Sequence, residues 1–171
     1  MPCELQHVGG GTMVVQWLGH SSFLIISTSG TKIITDPYES GSFGNTLRYK
    51  PIEIPPDIVT VSHEHADHGY VEGLPGQFEV VSKPGIRTVR GITFKGVHTY
   101  HDDSEGAQRG SNTVFLMTVD GIRLCHLGDL GHIPTSVEVD QIGEVHILLM
   151  PVGGRYTIGP KDAGMVMDRL H

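Results

Sequence analysis

Eleven histidines are spread over 171 residues, and three of them crowd into one short run, Ser62-His63-Glu64-His65-Ala66-Asp67-His68-Gly69, directly after the apolar segment Ile58-Val59-Thr60-Val61. Imidazole is the commonest nitrogen donor to metal ions. Alternate residues of an extended chain point to one side, so His63 and His65 are expected to leave a strand end together as two ligands for one ion. If the chain then turns, Asp67 and His68 face a second ion. That mixture of nitrogen and oxygen donors suits zinc, and also manganese or iron. A single His pair at a strand end is ordinary surface polarity. Three histidines and an aspartate after a buried strand are not. Glu64 points away from the histidines on such a strand and is not assigned as a base.

Two later segments offer further donors, each just past a strand. One is His98-Thr99-Tyr100-His101-Asp102-Asp103, where His98 and His101 are equal candidates by position. The other is Gly128-Asp129-Leu130-Gly131-His132. Flanking glycines give Asp129 the close backbone access a bridging carboxylate needs, although Asp beside Gly is also a common turn former. His20 is either a residue at the mouth of the site or a hydrogen-bonded structural histidine. His132 is a candidate to support a metal ligand or to face substrate, with a structural role favoured. His126 and His146 read as structural. Gly153-Gly154 lacks the Lys-Ser/Thr of a phosphate-binding loop; it is expected to let the backbone pass close to the metal, with Tyr156 reaching substrate. Arg109 reads as part of a hairpin loop.

These residues must be held by a framework, and the composition suits one folded domain over 1–171: 38% hydrophobic and 18% charged, with 23 Gly and 10 Pro, a mixture of strands and tight turns. The net charge is −7, and no Lys/Arg run offers a track for nucleic acid. No stretch has the length of a membrane span, and the opening Met1-Pro2-Cys3-Glu4 is not a secretory leader. Cys3 and Cys125 read as reduced thiols in a cytoplasmic protein.

Strands are expected at 13–18, 22–27, 31–35, 57–62, 79–82, 86–89, 92–97, 113–119, 122–127 and 145–150, the last as a buried strand. Asp120-Gly121 is the strongest hairpin signal. Residues before Met13, ending Gly9-Gly10-Gly11, read as a flexible lead-in. Helices are expected at 134–142, with Pro134 in the first turn, and at 160–170, with Met165, Val166 and Leu170 along one side. Strands first and helices later make an α+β chain rather than a doubly wound one.

The motif His63-x-His65-x-Asp67-His68, followed by a lone His and then an Asp after a strand, resembles the metallo-β-lactamase superfamily. The stretches Trp17-Leu18-Gly19-His20-Ser21-Ser22, Thr35-Asp36-Pro37, His126-Leu127-Gly128-Asp129-Leu130-Gly131-His132 and Gly153-Gly154-Arg155-Tyr156-Thr157-Ile158-Gly159-Pro160 resemble, more narrowly, its ascorbate-6-phosphate-lactonase-like branch of small metal-dependent hydrolases. The resemblance runs from about Met13 to the C-terminus.

It implies an αββα four-layer sandwich. It also implies that His63, His65 and His101 hold one metal, that Asp67 and His68 hold a second, and that Asp129 bridges them, which decides between His101 and His98. Asp36 matches a supporting acid, with a plain Asp-Pro turn as the equal alternative. The implied chemistry is hydrolysis of a small-molecule ester, lactone or phosphodiester by a metal-bound hydroxide. Asp67 and Asp129 are the catalytic carboxylates, and two divalent ions (zinc or manganese, with iron as a further option) the cofactors.

The superfamily completes its second site with a His on a strand after the last helix, whereas this chain stops at His171, which reads as an exposed helix-end residue. The expectation is therefore a C-terminally shortened domain lacking final strand and helix elements, with an unpaired edge that favours a homo-oligomer. An alternative follows from the same gap: a non-catalytic metal-binding or interaction module.

Overall fold

The computed structural model describes residues 3–6, in backbone terms only, and residues 12–170. The glycine run Gly9–Gly11 and His171 lie outside the described residues. The chain forms two compact units, one up to Val81 and one from Ser82 onward, and each is built on its own sheet.

The first unit carries six strands in sequence order: β1 (Cys3–Gln6), β2 (Thr12–Gly19), β3 (Ser22–Ile26), β4 (Lys32–Thr35), β5 (Ile58–Thr60) and β6 (Glu79–Val81). β1 corrects the reading of a flexible lead-in, because Cys3–Gln6 pairs antiparallel along the start of β2, Cys3 opposite Val15. The strands to β4 are antiparallel, and β4, β5 and β6 are parallel. Ile25, Ile33, Ile34, Ile58 and Val59 are fully buried in this sheet. Leu24, Ile34, Tyr38 and Ile52 form a separate cluster beside it. A single irregular turn, α1 (Ser42–Asn45), has Phe43 and Gly44 in left-handed conformation, and a 3-10 turn spans Val71–Gly73.

Parallel pairing decides where the chemistry goes. β4 and β5 end side by side, Thr35 opposite Thr60, so Asp36 and Ser62 emerge at one edge of the sheet. The antiparallel β2–β3 turn, His20-Ser21, reaches the same edge: Phe23 N donates to Thr35 Oγ1 at 3.0 Å, and Thr35 Oγ1 donates to Ser21 O at 3.2 Å.

The second unit has five strands in the order β11-β10-β9-β8-β7: β7 (Gly85–Val89), β8 (Ile92–Tyr100), β9 (Ser111–Val119), β10 (Ile122–His126) and β11 (Ile147–Leu149). β11 alone pairs in parallel, with β10. The Asp120-Gly121 hairpin forms as expected, with φ of 52° and 77° at the two turn residues, the positive values a two-residue turn of this type demands. β11 is shorter than its apolar run and half-buried rather than buried, because it is the last strand of its sheet.

Helix α2 (Ser136–Ile142) starts later than Pro134. Thr135 caps it, and Glu138 closes a reciprocal capping box, which satisfies two amides the first turn leaves open. Helix α3 (Pro160–Arg169) has Pro at its start. It buries Ala163 and Val166, with Leu170 just after it, but leaves Met165 38% exposed, so the buried stripe is 163/166/170 and Met165 lies beside it. These residues pack with Val97, Val114, Leu116, Leu127 and Leu130 into the unit's core. None of the described helices is long and apolar enough to cross a membrane.

Candidate metal centre

In the first unit the donor loop is not an extended strand end. β5 stops at Thr60 and the chain bends through Ser62–His68, with His68 N and Gly69 N both donating to His65 O at 2.9 and 2.8 Å. His63 and His65 still stand together, ring centroids 4.6 Å apart. The bend sets His63 near His68 as well, at 4.3 Å between ring centroids.

Asp36 is the hub. It is fully buried with φ 38°, a left-handed conformation that Asp tolerates better than most residues. Oδ1 accepts from Ser62 N at 2.8 Å; Oδ2 accepts from Ser62 Oγ at 2.6 Å and from His68 Nδ1 at 2.9 Å. An ionised carboxylate only accepts, so these contacts fix two tautomers. His68 carries its proton on Nδ1 and presents the Nε2 lone pair. Ser62 spends its one hydroxyl proton on Asp36, so it accepts from His63 Nδ1 at 2.9 Å, and His63 presents Nε2 likewise. A carboxylate or hydroxyl behind the imidazole is the arrangement that orients metal-ligating histidines.

Asp67 lies beside His68 and His20. Its Oδ2 is 3.1 Å from His20 Nε2 and 3.8 Å from His68 Nε2, and His20 Nε2 is 3.2 Å from His68 Nε2. Burial alone would raise the Asp67 carboxyl, but the hydrogen bond from His20 and the nearby His68 outweigh it and hold the group below its ordinary range. Two donor sets therefore form within the unit, His20/Asp67/His68 and Asp36/His63/His68, each with ligand atoms within 4.8 Å of one another. Imidazole nitrogens and carboxylate oxygens are the donors a zinc-class ion takes, so the residues present fit a divalent cation.

In the second unit β8 continues three residues beyond the expected end, to Tyr100. His98 thereby stays in the sheet on its exposed face, near Ser111 Oγ at 3.2 Å. His101 is the first residue past the strand and is buried, with Nε2 3.2 Å from Asp129 Oδ2. Asn112 ties the three strands behind them: it donates to Thr99 Oγ1 at 2.8 Å and to Leu127 O at 2.9 Å, and accepts from Asp129 N at 3.0 Å. Asp102 then folds the following loop. Burial opposes its ionised form, but backbone amides of Ser104, Gly106, Gln108 and Arg109 donate to it and hold the carboxyl below its usual range.

A family model for the beta-lactamase superfamily domain matches residues 14–171. The chain belongs to that superfamily. It is 32% identical to a UPF0173 metal-dependent hydrolase of Methanobrevibacter smithii, over 90% of this chain and 75% of the relative, which places it in that metal-dependent hydrolase family. A solved structure from Thermotoga maritima, assigned as a Zn-dependent hydrolase of the metallo-β-lactamase superfamily, is 42% identical with a TM-score of 0.75, covering 92% of this chain and 71% of that one. A metal-dependent hydrolase structure from Parabacteroides distasonis has a TM-score of 0.76 at 16% identity, over 99% and 83% of the two chains. The two mixed sheets with few helices are thus the metallo-β-lactamase fold, and this superfamily member is a metal-dependent hydrolase by kinship.

Other candidates fall elsewhere. His132 accepts from Tyr100 N at 3.3 Å, its Nδ1 is 3.2 Å from Ile133 O, and Glu138 is 3.6 Å away. It bridges β8 and the start of α2. Tyr156 is exposed, with the Arg109 and Arg155 guanidinium groups 5.6 and 5.1 Å from its ring centre. Gly154 has φ 74°, and an added Cβ would stand 3.4 Å from Gly159 Cα. Ser62 and Asn112 escape sequence reasoning altogether; no local pattern marks a serine or asparagine as the residue that orients a ligand.

Proposed function

We propose that this chain hydrolyses an ester, lactone or phosphodiester bond in a small molecule, with two divalent ions, zinc or manganese. Following the family motif, His63, His65 and His101 are assigned to one ion, Asp67 and His68 to the other, and Asp129 to both. The observation that carries the reading is the buried Asp36–Ser62–His68 cluster, which orients His63 and His68 through their Nδ1 atoms, with His68 Nε2 3.8 Å from Asp67. The Thermotoga relative's description as Zn-dependent supports zinc. The lactonase-like stretches of the sequence support a lactone or phosphodiester as the bond broken.

A divalent ion acidifies a bound water towards a pKa of about 7 and polarises the carbonyl or phosphoryl group. The chain's own residues supply the rest. Asp36 keeps His68 in one tautomer and orientation. Asp67, held ionised, accepts the proton released by the attacking water. No serine or cysteine nucleophile is required.

The test is metal analysis of the purified protein, then chelation and reconstitution with zinc or manganese on a panel of lactones and phosphodiesters. Turnover that is lost on chelation, restored by metal, and reduced to background in His63→Ala and Asp67→Ala supports the reading. Two tightly held ions with no turnover on any substrate of the panel favours the alternative, a cation-binding module without catalysis.

A further inference from the structure

His20 occupies the first position of the two-residue turn between β2 and β3, with φ 51°. Such turns favour Asn or Gly, which adopt positive φ easily. This chain instead places an imidazole there and anchors it from behind: Trp17 Nε1 donates to His20 O at 2.8 Å, and Ser21 O accepts from Thr35. The ring reaches across to a loop nearly fifty residues later in sequence, where Nε2 meets Asp67 Oδ2 at 3.1 Å and His68 Nε2 at 3.2 Å.

The protons of this cluster show what belongs at its centre. His68 gives its Nδ1 proton to Asp36, so its Nε2 is an acceptor, and the Asp67 oxygen is another. His20 Nε2 faces both atoms, so positive charge at the centre, a shared proton or an ion, satisfies all three. A divalent cation supplies it if the His20 proton moves to Nδ1, a tautomer change with no net proton gained or lost.

The spacing agrees with this. A tetrahedral ion with bonds of about 2.0–2.1 Å sets its ligand atoms about 3.3 Å apart. The three separations here are 3.1, 3.2 and 3.8 Å. Two of the three edges, those from His20 Nε2, fall near that value, and the Asp67–His68 edge is longer.

We propose that His20 is a direct ligand of a divalent cation, closing a three-residue site with Asp67 and His68 inside the first unit. The proposal rests on Asp67 and His68 being metal ligands, and adds a donor from a separate element of the chain. Its consequence is that this cation draws a protein ligand from the β2–β3 turn as well as from the His63–His68 loop.

The experiment is a zinc titration of the metal-free protein by calorimetry, with bound metal counted by mass spectrometry. The variants are His20→Asn, which tolerates positive φ and keeps a donor towards Asp67, His20→Asp, which tolerates it and restores an anionic ligand, and Asp67→Asn as reference. The proposal expects His20→Asn to weaken the second ion by more than about tenfold with an unchanged circular dichroism spectrum, and His20→Asp to recover most of the loss. In the unaltered protein, zinc should move the His20 Nε2 nitrogen resonance from its protonated to its metal-bound position, a readout that needs no variant. If His20 Nε2 stays protonated in the zinc form and His20→Asn binds zinc normally while Asp67→Asn does not, His20 is only a hydrogen-bonding neighbour, and the Asp67 reading survives. If Asp67→Asn also binds zinc normally, both fall.

Discussion

The donors of the first unit and those of the second are held by different kinds of force. In the first, side chains position side chains: Asp36 binds Ser62 and His68, and Ser62 in turn binds His63. In the second, the backbone does most of the positioning. His101 follows directly from a nine-residue strand, and the chain at Gly131 lies so close over it that an added Cβ would be 2.3 Å from His101 C and Asp102 N. Hydrogen bonds from a carboxylate fix tautomer as well as place. Close packing fixes place alone. The first unit's contacts therefore act on ring orientation and proton placement, and the second unit's on where its candidate donors stand.

The largest effect should come from breaking the side-chain arrangement. Asp36→Ala removes the acceptor of three hydrogen bonds at a site with no solvent access, leaving Ser62 N, Ser62 Oγ and His68 Nδ1 with lost partners. Leaving buried hydrogen-bond donors unsatisfied costs about 1–3 kcal/mol. Urea unfolding of the metal-free protein should show a loss of that size, with zinc affinity falling as well. A loss below about 1 kcal/mol would mean that Asp36 organises nothing, and the contrast between the units would go with it.

Next in size is the complementary change in the second unit. Gly131→Ala puts a methyl group against three atoms of the His101–Asp102 peptide, with His101 O at 2.4 Å as the third contact. Backbone cannot rotate away as a flexible side chain does, and forced overpacking costs about 1–3 kcal/mol. Hydrogen exchange should locate the damage at 99–102 and 129–132, where Gly131 N donates to Tyr100 O, while His68 keeps its tautomer. Spread of the effect into the Asp36 cluster would show that the two units are not separately organised.

The same contrast governs how much was legible beforehand. His63, His65, Asp67 and His68 lie within six positions, so their spacing announces a ligand loop even though the loop bends where an extended strand end is expected. His98 and His101 are indistinguishable by spacing because the answer lies in strand length. Cross-strand pairing continues through Tyr100 opposite Ser111, and that register is a long-range property. Asp36 reads equally well as an Asp-Pro turn until β4 and β5 are known to run parallel and end together. Thr135-x-x-Glu138 is a capping signal present in the sequence, but Pro134 draws the expected helix start two residues early. Met165 falls next to the buried stripe of α3 rather than on it, and only the 163/166/170 spacing distinguishes them.

The smallest expected effect sharpens the comparison most closely, because it repeats the glycine test in the other unit. Gly69 follows His68 directly, and an added Cβ there would stand 3.3 Å from His63 O and 3.4 Å from Glu64 Cα and His65 O. These contacts are tight but relieved by a shift of a few tenths of an ångström, and the φ of Gly69 is not in the left-handed region. Gly69→Ala should therefore change stability by less than about 1 kcal/mol, well under Gly131→Ala. A shift that small still moves the carbonyls that set the bend carrying His63 and His65, so zinc affinity should fall a little while urea unfolding barely changes. Equal destabilisation by the two alanines would mean that the first unit's donor loop is also held by backbone packing, and that its hydrogen-bonded acid only adds orientation to a position already set.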